Sequence, residues 1–395
     1  MKVQGVLIRG MRIGVAMAVF AGAALLAHGQ VNAVYVETND STANTVLGYS
    51  NDGLGNLTAL PGSPYSSSGT GWPGPLTDQQ DADGQIITNA AGTLLFAVNG
   101  HSNTVADYAV NSDGSLTLIG TLDAAGSQPA SLALFEGVLS NGGSLLAIVD
   151  KSSDTSHAQK IPAMISFTVT SGGVMTQNKT SKVTLATGES PSQALVVSAA
   201  KLVFLDRFLA SPSSISSYRI KSNGSFRLLG TVQVPTGDNL FLGMALNPVA
   251  DYLYAALPAD NQIAVYSFSR GTGLLTFVTT VPNLGGLACW ITTDTLGTRL
   301  YSAETMTGTI STYDISNPAL PVQLQQITLS TTNDPTPAPW NLKLDPTGQF
   351  LYTVSNGSLH VINVLTDGTL SEIATPVALP ILSGDHPNGL ATVLK

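Results

Sequence analysis

One short pattern recurs seven times along this chain: an apolar-aromatic strand that follows a glycine turn. The copies read AVYVE (Ala33 to Glu37), TLLFAV (Thr93 to Val98), SLLAIV (Ser144 to Val149), KLVFLD (Lys201 to Asp206), DYLYAA (Asp251 to Ala256), TRLYSA (Thr298 to Ala303) and QFLYTV (Gln349 to Val354). With Tyr35, Phe96, Ala147, Phe204, Tyr254, Tyr301 and Tyr352 as equivalents, the steps are 61, 51, 57, 50, 47 and 51 residues. That spacing is close to the roughly 40 to 50 residues of a propeller blade.

The last copies show the whole unit. Ala338 to Gly348 is a strand ending in an Asp-Pro-Thr-Gly turn, QFLYTV follows, then SLHVINV (Ser358 to Val364), then a Thr-Asp-Gly-Thr turn and LSEIATPVAL (Leu370 to Leu379). Four short strands with alternating apolar positions make one antiparallel sheet. Such a blade is apolar on both faces, so blades must stack around a central channel. The chain ends in HPNGLATVL (His386 to Leu394), which reads as the innermost strand of the blade that begins at Ala33. Pairing the N- and C-terminal strands would close the ring and remove its open edges. The expectation is an all-β, seven-bladed β-propeller of four-stranded antiparallel blades over residues 30–395. The stretch from Ser63 to Asp83, rich in Pro, Gly and Ser, reads as a surface loop near the channel mouth.

Residues 1–29 read as a signal peptide. Lys2, Arg9 and Arg12 precede an apolar run from Ile13 to Leu26, and Ala27-His28-Gly29 offers small residues for cleavage. The run is shorter than the roughly 20 residues of a membrane span, so a periplasmic or secreted protein with no stable membrane anchor is expected. Removing this segment takes three basic residues from a net charge of −9, leaving about −12. Nucleic acid and anionic membranes are poor partners for such a chain. The lone Cys289 has no intramolecular disulfide partner and reads as a small core residue.

The start-of-strand Pro, the Asp345-Pro346-Thr347-Gly348 turn, the Phe-Leu-Tyr strand, the Val-x-x-Tyr strand, the Asp-Gly-x-Leu-Thr hairpin and Pro61-Gly62-Ser63-Pro64 together resemble the lactonase family of seven-bladed β-propellers, which includes the propeller-type 6-phosphogluconolactonases. The resemblance implies lactone opening by His, Arg and Glu side chains around the channel, with no cofactor and no metal. The strand-opening motifs Gln128-Pro129-Ala130, Ser190-Pro191-Ser192 and His386-Pro387-Asn388 carry no Arg after the Pro, which departs from the arginine-rich lining expected of a phosphosugar enzyme.

A candidate site follows from the strand order. The start of each innermost strand and the end of each second strand lie on one face, so a ring of residues is expected at one mouth. Three places after the aromatic position come Thr38, Asn99, Asp150, Arg207, Leu257, Glu304 and Ser355. Glu304 or Asp150 would serve as base, Arg207 would stabilise the oxyanion, and His386 or His101 would shuttle a proton. Trp340, Asn99, His101 and Glu37 would bind substrate, Trp340 by stacking on a sugar ring. The plainer reading is that these are polar loop residues, with Asp150 and Arg207 solvated or paired with each other. His157 and His360 read as spectators. No metal-ligand spacing, no G-x-S-x-G element and no nucleotide-binding loop is present.

Two functions remain open. One is an exported, monomeric lactonase that hydrolyses a sugar-derived or other small lactone in its channel, for which Asp150, Arg207 and Glu304 should converge. The other is a non-catalytic propeller that binds a protein or glycan partner through its loops, for which the channel should be closed.

Overall fold

In the computed structural model the aromatic repeat becomes the second strand of every blade, and the seven sheets follow one another in chain order. The structure describes residues 1, 31–72, 81–152, 161–235, 240–373, 375–382 and 384–395. His157, residues 73–80 of the Pro-rich loop and residues 2–30, which hold the expected signal peptide, lie outside the described residues. Residues Val31–Lys395 group as one unit. Among the described residues no helix is long and apolar enough to cross a membrane.

Blade 1 is built from Leu390–Leu394 innermost, then Asn32–Glu37, Thr45–Asn51 and an outer strand broken into Leu57–Ala59 and Tyr65–Ser66. The two ends of the chain therefore meet in one sheet, with Asn32 opposite Leu394 and Val36 opposite Leu390. Blades 2 to 7 each run from the inner to the outer strand. Their inner strands are Ile86–Thr88, Pro129–Phe135, Ala194–Val197, Met244–Leu246, Ala288–Thr293 and Trp340–Leu344. All pairings are antiparallel; the outer strand of blades 2, 4, 5 and 6 carries one extra residue against the third strand, as at Asp107/Tyr108 and Val265/Tyr266, and that of blade 3 carries three, between Gln177 and Lys182. A bulge at this place increases the local twist that lets blades fan around an axis.

Packing explains the repeat. An apolar cluster fills each seam between neighbouring blades; Tyr35, Leu95, Tyr108 and Val393 pack between blades 1 and 2, and Trp290, Tyr301, Leu342 and Leu351 between blades 6 and 7. The repeated Tyr also ties seams with its hydroxyl. Tyr35 Oη donates to Gly114 O (2.6 Å), Tyr254 Oη to Pro318 O (3.1 Å), and Asn51 Nδ2 donates to Tyr352 Oη (2.7 Å), in each case joining one blade to the next. Third-strand tyrosines reach the other way: Tyr108 Oη donates to Ser66 O and Tyr313 Oη to Pro282 O of the preceding blade. Because side chains alternate along a strand, the aromatic position and the residue two later face the following blade, and the residue three later faces the preceding one.

Candidate functional site at the channel mouth

That alternation decides where the expected ring goes. Glu304 is fully buried between blades 5 and 6. Its Oε1 accepts from Asn283 Nδ2 (2.7 Å) and Ser302 Oγ, and its Oε2 accepts from Thr309 Oγ1 (2.9 Å). Burial raises its pKa and these hydrogen bonds oppose the rise. Arg207 makes a bidentate pair with Glu189, Nε to Oε2 at 2.8 Å and Nη2 to Oε1, across the linker from blade 3 to blade 4. Asp150 is buried over Gly126, where an added Cβ would lie 1.9 Å from Oδ2. Asn99 accepts from Asn44 Nδ2 (3.0 Å) and Ser67 Oγ (2.5 Å) and donates to Thr104 Oγ1 (3.0 Å). Glu304, Arg207 and Asp150 thus sit in three different seams, each committed to the linker entering its own blade, and the structure does not bring them together around one ligand. Arg207 pairs with Glu189 rather than with Asp150.

Ser355, in the same register, shows how far such a node can imitate a catalytic site. Its Oγ lies 3.0 Å from His360 Nε2, and His360 Nδ1 lies 2.6 Å from Glu372 Oε1, the connectivity of a Ser-His-acid triad. Ser355 and His360 are both fully buried, and Glu372 Oε2 accepts from Ser330 N (2.6 Å) of the preceding blade. The three residues hold blade 7 to blade 6, as Glu304 holds blade 6 to blade 5.

The residues that meet on the axis belong to another ring. Each aromatic position pairs with an inner-strand residue: Ala391, Ile87, Ala133, Leu195, Ala245, Thr292 and Lys343. Two places before these stand Gly389, Gln85, Ser131, Gln193, Gly243, Trp290 and Asn341. Four of the seven carry side-chain N–H groups, and all four point at Asp81-Ala82-Asp83. Gln85 Nε2 (2.7 Å), Trp290 Nε1 (2.9 Å) and Asn341 Nδ2 (3.3 Å) donate to the carbonyl oxygen of Ala82, and Gln193 Nε2 donates to Asp83 Oδ2 (3.0 Å). Blades 2, 4, 6 and 7 can reach one tripeptide only on the propeller axis. The segment is also held by Lys151 Nζ on Asp81 O and by the Asp83 N–H on Ser192 O (3.2 Å). Asn341 reaches the axis from a left-handed backbone (φ 50°) that Asn tolerates, beside a bulge in its strand.

Beside Ala82 lies a cavity of about 30 Å³, lined among others by Glu37, Trp72, Gln85, Gln128 and Asn388. It has room for about one water. Glu37, two places after the aromatic position of blade 1, is buried there. Its Oε1 accepts from Asn44 Nδ2 (2.8 Å), while Oε2 has no hydrogen-bond partner among the described residues. Burial lifts its pKa well above the usual carboxyl value, with only the Asn44 bond opposing, which favours the protonated form. Asp206 occupies the equivalent place in blade 4. It accepts from Ser192 N (2.7 Å) and Gln193 N (2.6 Å), and burial pushes its pKa up to about 6 against these bonds and Lys151. Burial likewise raises Asp83 to about 6, against Lys343 and the Gly84 N–H.

The remaining expected residues frame the mouth. His101 is half-buried with its ring edge to Trp72, centroids 5.8 Å apart. Trp340 packs edge to face on Trp290 (5.0 Å) and near His386 (6.5 Å). Burial lowers the pKa of His386, and Asp385 partly restores it. Among the described residues no three His, Cys, Asp or Glu side chains are grouped to hold a metal ion.

Residues 210–384, from the third strand of blade 4 through blade 7, match the family model described as "Lactonase, 7-bladed beta-propeller". The chain is a seven-bladed propeller, and its later blades are similar to that family. Solved structures share its architecture at low identity. The periplasmic gluconolactonase of Pseudomonas aeruginosa superposes with a TM-score of 0.69 at 14% identity, covering 92% of this chain and 99% of that one. A candidate 6-phosphogluconolactonase of Bacteroides fragilis gives 0.67 at 14%, covering 92% and 98%. A protein of Lactobacillus plantarum gives 0.68 at 15%, covering 92% and 99%. These likenesses carry the fold. Among curated proteins, no sequence matches this one.

The residues that sequence reasoning passed over in this propeller are Ala82, Gln85, Gln193, Asn341, Glu189 and Asn44. Glu189 and Asn44 sit in linkers with no repeat signal. The axial ring was findable, because Gln85, Gln193, Trp290 and Asn341 recur at one fixed offset from the aromatic strand.

Proposed function

We propose that this propeller is an exported lactone hydrolase that works at the channel mouth beside Glu37. The observation that carries the reading is a fully buried carboxyl with one oxygen unpartnered, facing a cavity beside the propeller axis, where burial favours its protonated form. Hydrolysis adds water to the lactone carbonyl and breaks the bond to the ring oxygen, which leaves as an alkoxide and needs a proton. A neutral Glu37 supplies that proton and recovers one from the attacking water, so lactone and water become the hydroxy acid with the carboxyl unchanged. Two of the cations near the mouth are engaged, Arg207 by Glu189 and Lys151 by Asp81 O, which favours an uncharged lactone over a phosphorylated one. The N-terminal pattern supports export, and the P. aeruginosa neighbour is itself a periplasmic protein.

The test is acid release by the purified protein over a panel of sugar and aliphatic lactones, alongside Glu37→Gln. Turnover that falls about 10²-fold or more in Glu37→Gln is the expected result. Turnover indifferent to the change, or none on any lactone, would overturn it.

A second reading draws on the filled mouth. A propeller with Ala82 on its axis and room beside it for about one water is also suited to binding a partner through its loops without catalysis. An inactive protein whose channel excludes every lactone would favour that reading.

A further inference from the structure

Ala82 is held in an unusual way. A neutral carbonyl oxygen offers two lone pairs, yet three side-chain N–H donors from three blades converge on this one at 2.7, 2.9 and 3.3 Å. A third donor is of full use only to an oxygen that carries negative charge, as the oxygen of a tetrahedral intermediate does. Each donor stands on an inner strand or at its start, fixed by sheet pairing that does not depend on Ala82. Ala82 is itself buried and borders the cavity that Glu37 faces.

We propose that Gln85 Nε2, Trp290 Nε1 and Asn341 Nδ2 form a carbonyl-binding site that the protein fills with its own Ala82 carbonyl, and that the carbonyl of a small uncharged lactone takes the place of Ala82. The inference rests on the reading of the mouth as the reaction site. In the exchanged state, water oxygen bonds to the lactone carbonyl carbon, and the carbonyl π pair moves to its oxygen, where three N–H groups hold the charge. Collapse re-forms the C=O bond and expels the ring oxygen, which takes the Glu37 proton, while the water proton passes to Glu37. Ala82 is a good occupant because its peptide carbonyl is less electrophilic than an ester, and the bonds of Lys151 to Asp81 and of Gln193 to Asp83 hold it without closing the Glu37 side of the cavity.

The test uses δ-valerolactam, which presents the same carbonyl without being hydrolysed, and reads hydrogen exchange of the peptide containing Asp83, whose N–H is bonded to Ser192 O. Lactam binding is expected to speed exchange there as Ala82 leaves. Trp290→Phe keeps the ring and removes the donor, so it should weaken lactam binding about tenfold and speed exchange without ligand. Asn341→Leu should do the same, and calorimetry on folded variants reports each affinity. No lactam binding, binding with unchanged or increased protection at Asp83, or affinity indifferent to both substitutions would overturn the proposal. The readout is separate from turnover. Lactam-driven release in a protein that hydrolyses nothing would sustain the carbonyl site while refuting hydrolysis, and Glu37-dependent turnover with Asp83 still protected would do the reverse.

Discussion

Trp290 Nε1 donates a 2.9 Å hydrogen bond to the carbonyl oxygen of Ala82, 208 residues away in the chain. It ties blade 6 to the segment that leads from blade 1 into blade 2, and with Gln85 and Asn341 it makes the propeller axis a place where carbonyl groups are recognised. The acids nearby are buried ones. This combination of convergent donors and buried carboxyls with raised pKa shapes what the molecule should do under test.

Stability should rise as the medium is made mildly acidic. Asp83 and Asp206 are pushed up to about 6 by burial, and Glu37 and Glu304 are raised by the same cause. Each group binds its proton more tightly folded than unfolded, so its contribution is full below the unfolded value near 4 and is lost as pH rises through the folded value. The carboxyls with lowered pKa, such as Asp52 and Asp367, are fully exposed and add little against this. Tm at pH 5 should exceed Tm at pH 7.5 by several degrees. A Tm that is flat or lower at pH 5 would contradict the burial of these acids.

Two glycines separate packing from backbone freedom. A Cβ at Gly285 would lie 2.3 Å from Glu304 Cγ, so Gly285→Ala should cost about 1–3 kcal/mol by forcing the blade 5 to blade 6 node apart. At Gly172 the nearest atom to an added Cβ is Thr170 Oγ1 at 3.9 Å, and Gly172→Ala should change stability by less than about 0.5 kcal/mol. Urea unfolding of both variants measures the difference, and equal midpoints would refute the tight packing at Glu304.

Ser355 should not behave as a nucleophile despite its partners. Its hydroxyl is sealed between blades, so a fluorophosphonate probe should leave it unlabelled in the folded protein. His360→Gln should lower stability by about 1–3 kcal/mol, since it breaks two buried hydrogen bonds, and should leave any lactone turnover in place. Labelling at Ser355 that disappears in His360→Gln would show an active triad instead.

The seven blades, their order and the closure by His386 to Leu394 were legible in the sequence because each depends on a local pattern repeated at one spacing. The site was not, because its location turns on parity. Counting three residues past Tyr301 correctly reaches the upper end of the strand at Glu304, but alternation points that side chain into the seam towards Asn283 rather than along the axis. Arg207 was open to the same error, since its partner Glu189 lies in a linker outside the repeat. Glu37, one residue earlier in its strand, faces the opposite seam, where it shares Asn44 with Asn99 and leaves Oε2 to the cavity. Ala82 carries no chemical signal in its side chain, and its role comes from a backbone carbonyl that only the assembled ring of inner strands can address.

The proposed reaction requires Glu37 to hold its proton at neutral pH. A difference infrared spectrum at pH 7 between the wild-type protein and Glu37→Gln tests this directly, with thermal unfolding as the check on folding. The predicted result is a C=O stretching band of a neutral carboxylic acid in the wild type that is absent from the variant, accompanied by lactone turnover that declines as pH rises through the raised pKa of this group. Loss of carboxylate bands instead would mean that Glu37 is ionised, and the proton that the proposed reaction needs would not be there.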